Sequence, residues 1–156
     1  MRKFAAFLCL FVCVVLAGFS QEKQEKKEAA PQAPPGYAIP PEELKRENPV
    51  KPTEASLAEA KKLYGYQCAM CHNENGDGKS ELAESMKLSL KDYTSPDALK
   101  DFSDGALFYL LDKGRGKMPA QEGRMSAHQM WNLVNYIRSL SKKSGEKHKA
   151  AEPKPE

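Results

Sequence analysis

The chain has 156 residues, 24 Lys and Arg against 21 Asp and Glu, and a formal charge of +3. That excess falls to +1 without Arg2 and Lys3, and from Leu57 to Ser141 the 11 basic and 11 acidic residues cancel. A basic field for nucleic acid is therefore excluded.

Met1 to Ser20 opens on Arg2-Lys3, runs apolar from Phe4 to Phe19 and ends in Gly18-Phe19-Ser20. These residues predict a secretory signal. The apolar run is shorter than the roughly 20 residues of a usual spanning helix, so cleavage after Ser20 is favoured over an uncleaved anchor. No cysteine follows Leu16-Ala17-Gly18, so a bacterial lipoprotein anchor is not indicated. Cys9 and Cys13 lie inside the apolar run, and the mature chain keeps only Cys68 and Cys71.

Residues 21–53 are rich in Glu, Lys and Gln and then in proline, including Pro31, Pro34, Pro35, Pro40, Pro41, Pro49 and Pro52. Such a composition buries no core by itself and predicts a disordered leader. It would act as a tether if the signal were retained and as a solubilising arm otherwise. Residues 142–156 are similarly polar and predict a disordered, charged tail. Between them, residues 54–141 form one small domain, marginal without a staple.

Ser56 with Glu59 reads as a capping box, and Leu57, Ala60, Tyr64 and Cys68 recur at helical spacing. This predicts a first helix from about Leu57 into Cys68. At its end stands Cys68-Ala69-Met70-Cys71-His72, and C-x-x-C-H reads as a c-type haem attachment site. Two thiols can add across porphyrin vinyl groups, and the adjoining imidazole of His72 then faces the iron. One covalent haem c is the expected cofactor, and its largely apolar porphyrin would be the missing staple. A redox dithiol or half of a zinc site is the other reading of C-x-x-C. No βαβ pattern precedes Cys68, and the other histidines are only His128 and His148.

Asn73 to Gly78 is a turn-rich break. Beyond it, Leu82, Met86, Leu88, Leu90 and Tyr93 are candidates to cover haem edges or any other core. Ser95-Pro96-Asp97 predicts a short helix to about Asp101. Ser103-Asp104 opens another, with Ala106, Leu107, Leu110 and Leu111 as its apolar stripe and Gly114 as its stop. Ser126 with Gln129 forms a second capping box, and Met130, Leu133, Val134, Ile137 and Leu140 predict the buried face of a last helix ending near Ser141. No stretch alternates with period two for long enough to predict a sheet.

The second axial position is expected to be filled by Met118. Lys117-Met118-Pro119 lies in the irregular stretch after Gly114, where a proline-stiffened loop can aim a thioether at iron. Met86 and Met125 are the competitors in loops. Met70, between the cysteines, cannot easily turn to the opposite face, and Met130 belongs to the buried stripe. Lys113, Arg115 and Lys117 form either a docking face for an acidic redox partner or a solvated loop.

With these motifs the chain resembles the class I cytochromes c, particularly the short monohaem bacterial domains found in cytochrome subunits of some haem-copper oxidases. The resemblance spans about Leu57 to Leu140. It implies a small all-α fold of about four helices around one haem. It also implies packing of Tyr64 against Tyr136 or Trp131 of the last helix. Ala60 stands where relatives usually have glycine at that crossing, and Asn73 where they often have glycine. Axial ligation by His72 and Met118 leaves no position for substrate, so the expected role is single-electron transfer rather than catalysis. Asp97, Asp101 and Asp104 read as caps and solvated faces. Partners would be redox proteins outside the cytoplasmic membrane, including a membrane respiratory complex, with membrane contact only if the N-terminal segment stays uncleaved. A haem-based ligand sensor and an electron-entry subunit of a larger enzyme are the alternatives.

Overall fold

A computed structural model describes the backbone of residues 33–151 and the side chains of residues 33–141. The expected signal at 1–20, residues 21–32 of the leader and residues 152–156 of the tail lie outside the described residues. The described chain is helical, as the hydrophobic periodicity predicts. Its elements are α1 (Pro41–Leu44), α2 (Glu54–Gln67), α3 (Ala69–His72), α4 (Glu81–Ser85), α5 (Asp104–Lys113) and α6 (Ala127–Ala151). None of these is long and apolar enough to cross a membrane.

Helix α2 starts three residues earlier than Ser56 with Glu59 suggests. Thr53 is the N-cap: its hydroxyl accepts from the Ser56 amide at 3.1 Å, and the Ser56 hydroxyl accepts from the Thr53 amide at 2.9 Å. Serine thus takes the reciprocal position usually held by Glu or Gln, and two orphan amides are satisfied. Helix α6 begins as expected, with the Ser126 amide donating to Gln129 Oε1 at 2.9 Å and the Gln129 amide to Ser126 Oγ at 3.2 Å.

The core lies where α2 and α5 pack on α6. Met130, Leu133, Val134, Ile137 and Leu140 are all buried there, joined by Trp131 and Tyr136. Tyr64, 1% exposed, packs on Tyr136 with ring centroids 5.3 Å apart, so Tyr136 is the partner. Trp131 instead stacks on Phe108 of α5 at 4.2 Å. Ala60 is buried at the same crossing, where its methyl is accommodated.

Three expectations change. Residues 95–102 are a series of turns rather than a short helix, closed by i to i+3 bonds such as Ala98 amide to Ser95 carbonyl at 3.2 Å and Phe102 amide to Leu99 carbonyl at 3.1 Å. Burying Leu99 and Phe102 settles the conformation. Helix α6 does not stop at Ser141 but runs to Ala151, because Lys142 to Ala151 contains good helix formers and no proline. That stretch is therefore helical rather than a disordered tail.

Residues 33–53 are likewise not a disordered leader. Tyr37 meets Phe102 edge-on at 4.9 Å, and Ile39 and Leu44 are buried in the core. Asn48 Nδ2 donates to the Trp131 carbonyl at 3.2 Å and to Asn135 Oδ1 at 3.0 Å, and Asn135 Nδ2 donates to the Val50 carbonyl at 2.8 Å. The prolines limit the unfolded chain, while the apolar residues between them find a surface already built by α5 and α6. This segment is a strap laid over the helices.

Arg138 ties the turn region to the last helix. Its Nε donates to Asp104 Oδ1 at 2.8 Å, Nη1 to the Leu99 carbonyl at 3.1 Å, and Nη2 to the Phe102 carbonyl. Arg138→Ala is expected to lower stability by about 2–3 kcal/mol, since charge-assisted bonds and two partly buried carbonyls lose their partner. Urea unfolding of the haem-loaded protein checks this, and an unchanged midpoint would contradict it.

Candidate haem site

The haem motif is held at the C-terminal end of α2. The Cys68 amide donates to the Tyr64 carbonyl at 2.8 Å, and the His72 amide to the Cys68 carbonyl at the same distance, so α3 is one further turn carrying Cys71 and His72. Asn73 ends it at φ 64° and ψ 157°, outside the left-handed well where asparagine is at ease and in a region otherwise held by glycine. Tyr64 Oη donates to the Asn73 carbonyl at 3.1 Å, and the Gly76 amide donates to the same oxygen at 3.1 Å, so the turn after the motif is held from two sides. Burial raises the Tyr64 hydroxyl pKa well above its ordinary value, keeping it a neutral donor.

The following loop is knotted by one carboxylate. Asp77 accepts from Asn73 Nδ2, from Asn75 Nδ2 and from the Lys79 amide, each at 2.9 Å. Its hydrogen bonds, that from Asn75 first, hold the Asp77 carboxyl below the usual range. Ser80 Oγ then donates to the Cys71 carbonyl at 2.8 Å while accepting from the Ala83 amide at 3.0 Å, so one hydroxyl joins the motif to α4.

His72 and Met118 border two cavities that share walls, one of about 150 Å³ and one of about 500 Å³. Cys68 and Cys71 border the larger, and neither is in a disulfide. Leu90 and Leu111 line both, with Leu88 in the larger and Leu99, Leu107 and Leu110 in the smaller. Leu88, Leu90 and Tyr93 thus meet the cavity walls as the edge-covering expectation has it, whereas Met86 is 44% exposed and lines neither.

The other sulfur and imidazole groups are elsewhere. Met70 is 69% exposed, Met125 and Met130 are packed in the core, and His128 is on the surface. The side chain of His148 lies outside those described. Among the described residues no group of three or more His, Cys, Asp or Glu side chains is arranged to hold a metal ion.

The chemistry of the donors fits a porphyrin. The His72 ring stacks on Tyr93 with centroids 5.1 Å apart and planes 20° apart, and its Nδ1 is buried without a hydrogen-bond partner. Burial lowers the His72 pKa from its ordinary value, so the imidazole is neutral at pH 7 and its lone pair is available to a metal. Burial, with Cys71 adding to it, pushes the Cys68 thiol up to about 11. It is therefore a protonated, uncharged group beside leucines, and a thioether in its place would bury no charge.

The methionine loop is made rigid by its backbone. Arg115 and Met118 exchange amide-to-carbonyl bonds of 3.0 and 2.9 Å, and the Gln121 amide donates to the Leu111 carbonyl at 2.9 Å. Gly114 turns the chain at φ 69°. Cys68, Cys71, His72 and Met118, the candidates from the sequence, all line these cavities, as does Tyr37 of the strap, which the sequence did not single out. The available signal was the recurrence of Tyr37, Ile39, Leu44 and Val50 among the prolines.

A small all-α domain with a C-x-x-C-H turn facing a methionine loop across a leucine-walled cavity defines a c-type cytochrome domain. Residues 55–137, just over half of the chain, match the family described as cytochrome c oxidase, cbb3-type, subunit III, and the chain belongs to that family. It is also similar to cytochrome c6 of a Synechococcus strain, 32% identical over 93 residues, covering 58% of this chain and 75% of that protein. Cytochrome c6 of Chlorolobion braunii is 29% identical over 90 residues, 54% of this chain and 90% of its own length. The chain accordingly carries one covalently bound haem c and works as an electron carrier.

Gly114 provides a test of the loop. A Cβ there would lie 2.5 Å from the Met118 carbonyl oxygen and 2.7 Å from the Ala120 amide nitrogen, on top of its positive φ. Gly123, at φ +73°, has nothing within 4 Å. Gly114→Ala is expected to cost about 2 kcal/mol or more, and Gly123→Ala about 1 kcal/mol. Thermal unfolding of both variants checks the order, and equal losses would mean the loop moves freely.

Proposed function

We propose that this protein transfers single electrons outside the cytoplasmic membrane, with its haem bonded through Cys68 and Cys71 and its iron held axially by His72 and Met118. The observation that carries the reading is the convergence of His72 and Met118 on the same two cavities, with both cysteines on the wall of the larger.

Each residue has a separate task. Cys68 and Cys71, three positions apart on one helical turn, fix the haem edge to the end of α2. His72 supplies a neutral imidazole whose ring is kept in place by Tyr93. Met118 supplies a thioether from a loop tied by paired backbone bonds. Bound there, the haem supplies one iron that changes by a single electron. Leucine walls keep water from that iron, and His/Met ligation with burial raises the reduction potential. Little movement is needed between oxidation states, because both ligands sit on hydrogen-bonded backbone. Filling both axial positions leaves no site for a substrate, so the protein acts on redox partners rather than as an enzyme.

The first 20 residues support export as a signal, and a periplasmic or other extracytoplasmic respiratory chain follows from that export. A second reading, favoured by the description of the matched family as an oxidase subunit, is the electron-entry subunit of a larger enzyme. Isolation from the native membrane fraction with a stoichiometric partner would support it over a free shuttle.

Met118→Ala is expected to open the iron to carbon monoxide and to lower the reduction potential. Retention of the parent potential with no carbon monoxide binding would overturn the methionine assignment. His72→Ala should abolish the low-spin visible spectrum. Cys68→Ser combined with Cys71→Ser should make the haem extractable into acidic organic solvent, and haem that resisted extraction would refute the thioether assignment.

A further inference from the structure

Four side chains form a ladder along the smaller cavity. The Arg115 guanidinium lies 4.0 Å from the centroid of the Tyr37 ring, and its Nη2 donates to the Gly36 carbonyl at 2.9 Å. Tyr37 meets Phe102 edge-on at 4.9 Å, and Lys91 Nζ lies 5.0 Å from the Phe102 centroid. All four border that cavity. Two cations are thus fixed on an aromatic pair, one ring of which comes from the strap and so precedes the family-matched residues 55–137.

The charge at the site is of one sign. Lys91, Arg115 and Lys117 are the Lys and Arg side chains on the walls of the two cavities, and no Asp or Glu lines either. In a domain whose 11 basic and 11 acidic residues cancel as a whole, the cavity rim carries positive charge with no Asp or Glu on its walls. A haem carries two propionate carboxylates, which need such partners when the rest of the pocket is leucine.

The strap is built to stay in place. Gly105 of α5 lets it approach so closely that a Cβ would lie 1.9 Å from the Glu43 carbonyl oxygen. Its own Ile39 and Leu44 are buried in the core. Arg115 itself is exposed, so without Tyr37 and Gly36 its long side chain would be free to move away into water.

We infer that the strap, through Tyr37 and Gly36, holds Arg115 at the rim of the smaller cavity, where Arg115 and Lys91 receive the haem propionates. This rests on the haem occupying the cavities between His72 and Met118. Arg115 and Lys91 are propionate-binding residues, and Tyr37 is a positioning residue acting through Arg115. Neutralising the carboxylates removes negative charge that favours the ferric state, so these contacts raise the reduction potential.

The direct test is nuclear Overhauser spectroscopy on the ferrous, haem-loaded wild-type protein. Contacts between propionate methylene protons and the Tyr37 ring or the Arg115 side chain are expected. Contacts only to the Lys117 and Gln121 rim would overturn the inference. Potentiometry supplies the second arm. Arg115→Gln should lower the potential while leaving the low-spin spectrum intact, and Tyr37→Leu should lower it less. The double variant should match Arg115→Gln alone. An unchanged potential in Arg115→Gln, or equal losses from Tyr37→Leu with and without Arg115, would refute the positioning role. A salt-dependent change in the rate with an acidic redox protein, without any change in potential, would make Arg115 a docking residue instead and also refute it. Loss of the low-spin spectrum in wild-type protein would mark failure of the ligand assignment, separately from these outcomes.

Discussion

The wall that carries the cysteines and His72 hangs from the crossing of α2 and α6. Tyr64 stands at that crossing, 1% exposed, against Tyr136 on one side and with its hydroxyl reaching the Asn73 carbonyl on the other. One side chain therefore joins the longest packed interface to the turn that carries the cysteines and His72. Full burial of an aromatic side chain contributes on the order of 2–3 kcal/mol, and its hydrogen bond gives the Asn73 carbonyl a second donor beside the Gly76 amide. Placement of the imidazole follows from this contact before any metal is considered.

The opposite wall is built on a different principle. Where α2 and α3 use helix packing, the Met118 loop uses a glycine turn and backbone bonds to α5. Both walls are held independently of the cavity's contents, and leucines supplied by α5 and by the segment after α4 lie between them. Such a frame suits a reaction in which one electron arrives and leaves with little nuclear rearrangement. The c-type cytochrome family and the cytochrome c6 relatives are in keeping with that chemistry.

Most of the site was legible because its residues stand close together in the chain or carry a local signal. Cys68, Cys71 and His72 form one pentapeptide, Met118 follows a helix stop, and the α6 face repeats at i, i+3, i+4 and i+7. The positive φ of Asn73 was legible from asparagine's tolerance of it, but not its ψ of 157°, which lies outside the left-handed well. What stayed hidden depends on distant partners. Thr53 caps α2 through Ser56, a pairing outside the usual Glu or Gln pattern. Ser95-Pro96 looks like a helix start, yet burial of Leu99 and Phe102 favours successive turns. The proline-rich segment 33–53 reads as unable to form a core alone. It nevertheless packs, because Phe102, Phe108 and Trp131 offer a surface that no local composition reveals.

That surface has a practical consequence for the limits of the folding unit. Arg46 lies over the rings of Phe108 and Trp131 at 4.4 and 5.3 Å, while Ile39 and Leu44 complete the core beneath. A recombinant fragment trimmed to the homology boundary near residue 55 would strip this covering and leave aromatic rings bare to solvent. Bare rings of that kind make a protein sticky. Among the described residues the packed unit thus extends at its amino end beyond the family-matched haem module by some twenty residues.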